Sequence, residues 1–116
     1  MPTKLKDTLE KVTKLEKRSN SNLLIEFYVY LGVVRTSERY QCDIIKILVK
    51  FSEFINDNLV YVQKKEQVIA FLNTKIKNKE EDPEEKWITT WNDYLNRLRL
   101  FYRWLYNHVN YTDHEN

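Results

Sequence analysis

The sequence predicts an all-α protein, and three observations carry that reading. Its 116 residues include one glycine and two prolines, too little turn material for a set of short strands. Apolar residues recur at helical spacing along most of the chain. Clusters of Ser, Thr, Asn and Asp stand where helices would begin and end. A chain of this length buries a core large enough to fold without disulfide or metal. Charged residues make up 31% and apolar residues 42%, ordinary for a soluble globular protein.

Residues 1–18 read as a charged N-terminal arm or short helix, with Leu5, Leu9, Val12 and Leu15 as its stripe. Ser19-Asn20-Ser21-Asn22 offers N-caps for a helix over about 21–33, with Leu24, Phe27, Tyr28 and Leu31 on one face. Gly32, the only glycine, is the expected left-handed C-cap. Thr36 and Ser37 cap a long amphipathic helix whose apolar face is Ile44, Ile45, Leu48, Phe51 and Ile55, ending at Asn56-Asp57-Asn58. LVYVQ is a connector that tucks Leu59 and Tyr61 against the core. KEQVIAFLNTKIKN is a third helix, with Val68, Ile69, Leu72 and Ile76 inward. Asp82-Pro83-Glu84-Glu85 resembles a helix start; the last helix begins either at 83 or, after a single turn, at Ile88 or Thr89. Its stripe is Trp91, Tyr94, Leu95, Leu98, Phe101, Tyr102 and Leu105. Trp104 and Tyr106 lie off that stripe. The end, 110–116, is expected to be a disordered tail or the start of an interdomain linker.

The single Cys42 cannot pair within the chain, which favours a reducing, intracellular setting. No apolar run approaches the roughly 20 residues of a membrane span, and the N-terminus does not read as a signal peptide. His108 and His114 are six residues apart, a spacing that fits no helical zinc site, so no metal is expected. No glycine-rich phosphate loop, activated nucleophile or tuned carboxylate pair is evident, so neither cofactor nor catalysis is expected of this chain alone. The net charge is +2, but residues 80–85, EEDPEE, hold five acids and no base; removing them leaves +7. That suits an anionic partner.

Two basic faces stand out. Arg35, Arg39, Lys46 and Lys50 are separated by 4, 7 and 4 residues, opposite the apolar face of the long helix. On the last helix Thr89, Asn92, Asn96, Arg99 and Arg103 share one polar flank, and Thr90 and Arg97 the other. Thr hydroxyls at a helix start can hold phosphates, while Asn and Arg can reach base edges.

The pattern T-x-x-x-Y-L-x-x-L-R-x-F-x-x-W-L, here Thr90, Tyr94, Leu95, Leu98, Arg99, Phe101, Trp104 and Leu105, resembles the last helix of the core-binding domain of tyrosine recombinases. LLIEFYVYL, TSERYQCDIIKILVKFSEFI and KEQVIAFL resemble its first three helices in order, and KEEDPEEKWITTWNDYLNRLRLFYRWLYN resembles archaeal integrases of this phage-integrase family. The resemblance covers about residues 20–108. It implies a SAM-like four-helix bundle of two crossed helical hairpins over 19–109, with an extra short N-terminal helix allowed before it. It implies binding of double-stranded DNA, with the family's second and fourth helices facing the major groove. The contacts carried over by position are Arg35, Arg39, Tyr40 and Lys46, with Thr89, Thr90, Asp93 and Arg97; the helix faces add Lys50, Asn92 and Asn96. Asp93 stands where relatives often carry a base, and an acid there either reads a cytosine amino group or tilts away from phosphate.

The family's catalytic set (an arginine, a lysine, H-x-x-R, a second His or Trp, and a tyrosine nucleophile) is absent. His108 is followed three places later by Tyr111. The resemblance therefore implies a non-enzymatic piece of a longer site-specific recombinase. Its partners would be duplex DNA, the C-terminal catalytic domain of the same parent and other protomers on DNA, in a cytoplasmic, nucleoid-associated setting with no membrane. The alternatives are a helical protein–protein module docking a partner through Trp104 and Tyr106, or a stand-alone regulatory factor on the same fold.

Overall fold

A computed structural model describes the backbone of residues 5–61 and 65–115, and side chains over 5–60 and 65–107. Five α-helices follow one another: α1 (Leu5–Thr13), α2 (Arg18–Val33), α3 (Glu38–Ile55), α4 (Lys65–Asn73) and α5 (Trp87–Glu115). A 3-10 turn, Leu59–Tyr61, follows α3, and no strand occurs among the described residues. The chain is all-α and divides into two compact units, residues 1–61 and 62–116.

In the first unit α1, α2 and α3 pack on one another. Leu24, Phe27 and Leu31 of α2 and Ile44, Ile45, Leu48 and Phe51 of α3 are fully buried, as their stripes predict, while Tyr28 and Ile55 are half-buried. Each such side chain contributes about 1.5–3 kcal/mol of burial. Cys42, Val49 and Ile47, on the flanks of the α3 stripe, are buried as well. α1 accounts for one of those flanks: its Val12 is fully buried and its Thr8 hydroxyl lies 3.2 Å from Cys42 Sγ. Residues 5–13 are thus a docked helix.

The cap cluster Ser19–Asn22 does not cap. α2 starts upstream, behind Lys17, which makes no side-chain cap bond. The side chains reach other segments instead. Ser21 Oγ donates to the Val12 carbonyl at the end of α1 at 2.7 Å. Ser19 Oγ donates to Asn58 Oδ1. Buried Asn20 donates to Ser52 Oγ at 2.8 Å and to the Asp57 carbonyl at 2.9 Å, and accepts the Leu59 N–H at 2.8 Å. A short polar side chain that can close its own helix end can equally close a distant one.

α2 ends at Val33, as expected, but Gly32 is not its left-handed cap. Arg35 is the left-handed residue (φ 60°), and the N–H groups of Arg35 and Thr36 bond the Gly32 and Leu31 carbonyls at 3.1 and 3.2 Å. That is a Schellman closure one turn past the glycine. Gly32 has helical backbone, and a Cβ there would meet nothing within 4 Å. Gly32→Ala is therefore expected to stabilise the protein by about 0.5–1 kcal/mol, read as a raised midpoint in a urea melt. A lowered midpoint would return the glycine to the cap. α3 starts and stops as expected: Ser37 Oγ accepts the Tyr40 N–H at 3.1 Å, and Asn56 closes the helix at φ 49°.

In the second unit α4 packs on α5. α4 stops at Asn73, five residues before the expected end at 78, where Thr74 Oγ1 and its N–H both bond the Phe71 carbonyl. Its buried residues are Phe71 and Leu72; Val68 is half-buried, and Ile69 and Ile76, expected inward, are 40% and 50% exposed. The Phe71 ring stacks on Tyr94 of α5 at 6.1 Å, with the Lys75 ammonium 5.1 Å from the Tyr94 centroid. Trp91 Nε1 donates to Asn73 Oδ1 at 3.3 Å.

α5 takes the later of its two expected starts. A turn over 82–85 is broken by Glu85 at φ 54°, and the helix begins at Trp87, whose N–H bonds Asp82 Oδ2 at 2.9 Å. Leu98, Phe101 and Leu105 are buried; Trp91, Tyr94, Leu95 and Tyr102 are half-buried. Burial pushes the Tyr102 phenol well above the usual tyrosine range. The backbone of α5 stays helical to Glu115, across residues 110–115 where a disordered tail is expected. Neither glycine nor proline follows Pro83, so backbone chemistry supplies no stop.

Candidate nucleic-acid interface

The first unit holds the α3 candidates. Arg35 is not among them as expected: it sits in the α2–α3 turn, two residues before the Ser37 cap, and does not extend the helical row. Arg39 and Lys50 are exposed, and Tyr40 and Lys46 are half-buried. The row is less basic than its lysines suggest. Asp43 and Glu53, both exposed, occupy the same side at three- and four-residue offsets and alternate with the cations. Lys46 and Lys50 also border a cleft against α1, which also holds Lys11 and Lys14. Sequence reasoning missed that cleft. Its signal is the spacing Lys11–Lys14 and Lys46–Lys50, which means little until α1 is known to pack on α3.

The second unit holds the α5 candidates. Thr89, Asn92 and Asn96 are exposed, and Arg99 and Arg103 continue the same exposed line. Helical spacing puts all five within one narrow sector, and no acid falls on it. Asp93 is exposed to one side, with Thr90 and Arg97 half-buried beyond it. Arg97 is not the solvent-facing residue its wheel position suggests: its Nη1 donates to the Asp93 carbonyl at 3.5 Å, a long contact. Its guanidinium is thereby turned back along its own helix toward the Asp93 backbone.

The start of α5 suits phosphate poorly. Asp82 already occupies the Trp87 N–H, and the flanking acids are only partly neutralised by Lys79–Glu85 at 3.7 Å and Lys86–Glu84 at 3.2 Å, both on the surface. An anion approaching that helix end meets carboxylates before backbone amides. The polar line therefore gains its usefulness further along, at Asn96, Arg99 and Arg103.

Trp104 and Tyr106 do not form one patch. Two positions apart on a helix they lie about 200° apart. Trp104 is half-buried with its ring 6.0 Å from Phe101, whereas Tyr106 is 68% exposed. Among the described residues no group of three or more His, Cys, Asp or Glu is placed to hold a metal ion, and no helix is long and apolar enough to cross a membrane. The side chains of His108 and His114 lie outside the described residues.

Comparison with known proteins finds no family model that matches the chain, no matching curated protein and no matching solved structure.

Proposed function

We propose that this chain binds duplex DNA through its sugar–phosphate backbone and groove edges, as the core-binding part of a site-specific tyrosine recombinase whose chemistry resides in a separate catalytic domain. The observation that carries the reading is the acid-free line Thr89, Asn92, Asn96, Arg99 and Arg103 along the exposed side of α5. From Thr89 to Arg103 it spans roughly 21 Å at 1.5 Å per residue. A helix about 10–12 Å across fits a major groove about 12 Å wide. Amides at Asn92 and Asn96 suit adenine edges, and the two arginines suit guanine edges or phosphate. The first unit has an exposed cation of its own at Arg39 on α3. The recombinase assignment rests on the residue pattern of the last helix and on the order of the helices.

The test removes charge without touching the core. Arg99→Gln combined with Arg103→Gln should leave the melting temperature within about 2 °C of the parent, as surface changes do. On a labelled duplex it should lower the log–log salt slope by about two, since each phosphate contributes about 0.9. An unchanged slope and affinity would remove α5 from the interface.

A further inference from the structure

We propose that the cleft between α1 and α3 is a phosphate seat, and that it takes backbone phosphates of duplex DNA; the duplex as source of the phosphate rests on the DNA reading above. The cleft has a volume of about 430 Å³, within the about 300–1,000 Å³ range of small-molecule sites and large enough for more than one phosphate. Lys11 and Lys14 line one wall, from α1 and the turn after it, and Lys46 and Lys50 line the other. Glu53 is the only acid among the lining residues, so the lining carries four positive charges against one negative. A cleft lined mainly by one sign concentrates potential and attracts the opposite ion. Lysine ammonium groups suit phosphate as point charges that need no fixed fork geometry.

The walls are held in place. Thr8 and Val49, both buried, also line the cleft. The Thr8 hydroxyl contacts Cys42 Sγ at 3.2 Å, Val12 is fully buried, and Ser21 Oγ donates to the Val12 carbonyl at 2.7 Å. Holding Lys11 and Lys14 near Lys46 and Lys50 therefore requires no ordering of a loose arm when an anion enters. Lys11 and Lys14 lie outside residues 20–108, so the family resemblance assigns them nothing.

The experiment pairs two probes on the full chain and on Lys11→Gln/Lys14→Gln, whose two exposed positions leave the core untouched. Inorganic phosphate is titrated while amide shifts of Thr8, Val49 and Lys50 are followed by NMR. A labelled 20-base-pair duplex is titrated by fluorescence anisotropy at several salt concentrations. We expect phosphate to move those amides in the parent and not in the variant, and the variant's DNA salt slope to fall by about two. A parent that binds duplex with a slope the variant fully retains would overturn the seat and leave the DNA reading standing. A parent that binds no duplex, yet whose cleft amides saturate with phosphate, would overturn the DNA reading and support a small-anion seat. Silence from both probes would overturn both.

Discussion

Asn20→Ala lowers the melting temperature by about 8–16 °C. Asn20 is 1% exposed and its side chain uses all its near partners: Ser52 Oγ, the Asp57 carbonyl and the Leu59 N–H. Alanine leaves those groups without their partner. The Asp57 carbonyl is part-buried and the Ser52 hydroxyl can rotate, so each recovers some bonding. The Leu59 N–H is buried beside a fully buried side chain and recovers little. At about 1–3 kcal/mol per unsatisfied buried group, the sum is about 2–4 kcal/mol. At roughly 4 °C per kcal/mol for a chain of this size, that gives the stated shift. Differential scanning calorimetry reads it directly; a shift under about 2 °C would mean that α2 is not tied to the end of α3 in this way.

Leu98→Ala destabilises by about 2–5 kcal/mol, whereas Asn96→Ala on the same helix changes stability by less than about 0.5 kcal/mol. Leu98 is 1% exposed at the centre of the α5 stripe, and Asn96 lies on the exposed line. The loss at Leu98 combines the transfer of its methyl groups with the cavity left behind. Urea denaturation of both variants separates the two faces of α5. Equal, small effects would show that the stripe does not face the core, and the polar line proposed to meet DNA would then be misplaced too. Arg97→Ala makes a poor surface control, because Arg97 is half-buried and its stem packs as well as carries charge.

The helices were legible where local chemistry and burial agree. α3 has Ser37 as its cap, a regular apolar stripe and Asn56 in the left-handed position, so its limits could be read within a residue. α5 could be read because its stripe repeats over four turns. The failures share one cause: a local signal was outbid by a distant partner or by backbone geometry. Ser19, Asn20 and Ser21 look like caps, but their hydrogen bonds go to α1, Ser52 and the chain after α3. Gly32 looks like the left-handed cap, but it is helical and the left-handed residue is Arg35, in the turn after α2. Ile69 and Ile76 match a helical period, but α4 ends at Asn73 and Phe71 is buried in preference. The exposed polar line of α5 was legible as a helix flank because it needs only one helix, whereas Thr90, Asp93 and Arg97, expected as contacts by position, lie off that line. The lysine cleft was not legible, because it exists only once α1 packs on α3.

The most direct test of the central claim is the salt dependence of duplex binding by the unmodified chain. Fluorescence anisotropy on a 20-base-pair duplex, repeated from low to physiological salt, gives the slope of log K against log salt. With about 4–6 phosphates neutralised, the slope should lie near −4 to −5, with a dissociation constant on the order of micromolar at physiological salt. A flat titration, or no binding to duplex at low salt, would contradict the account.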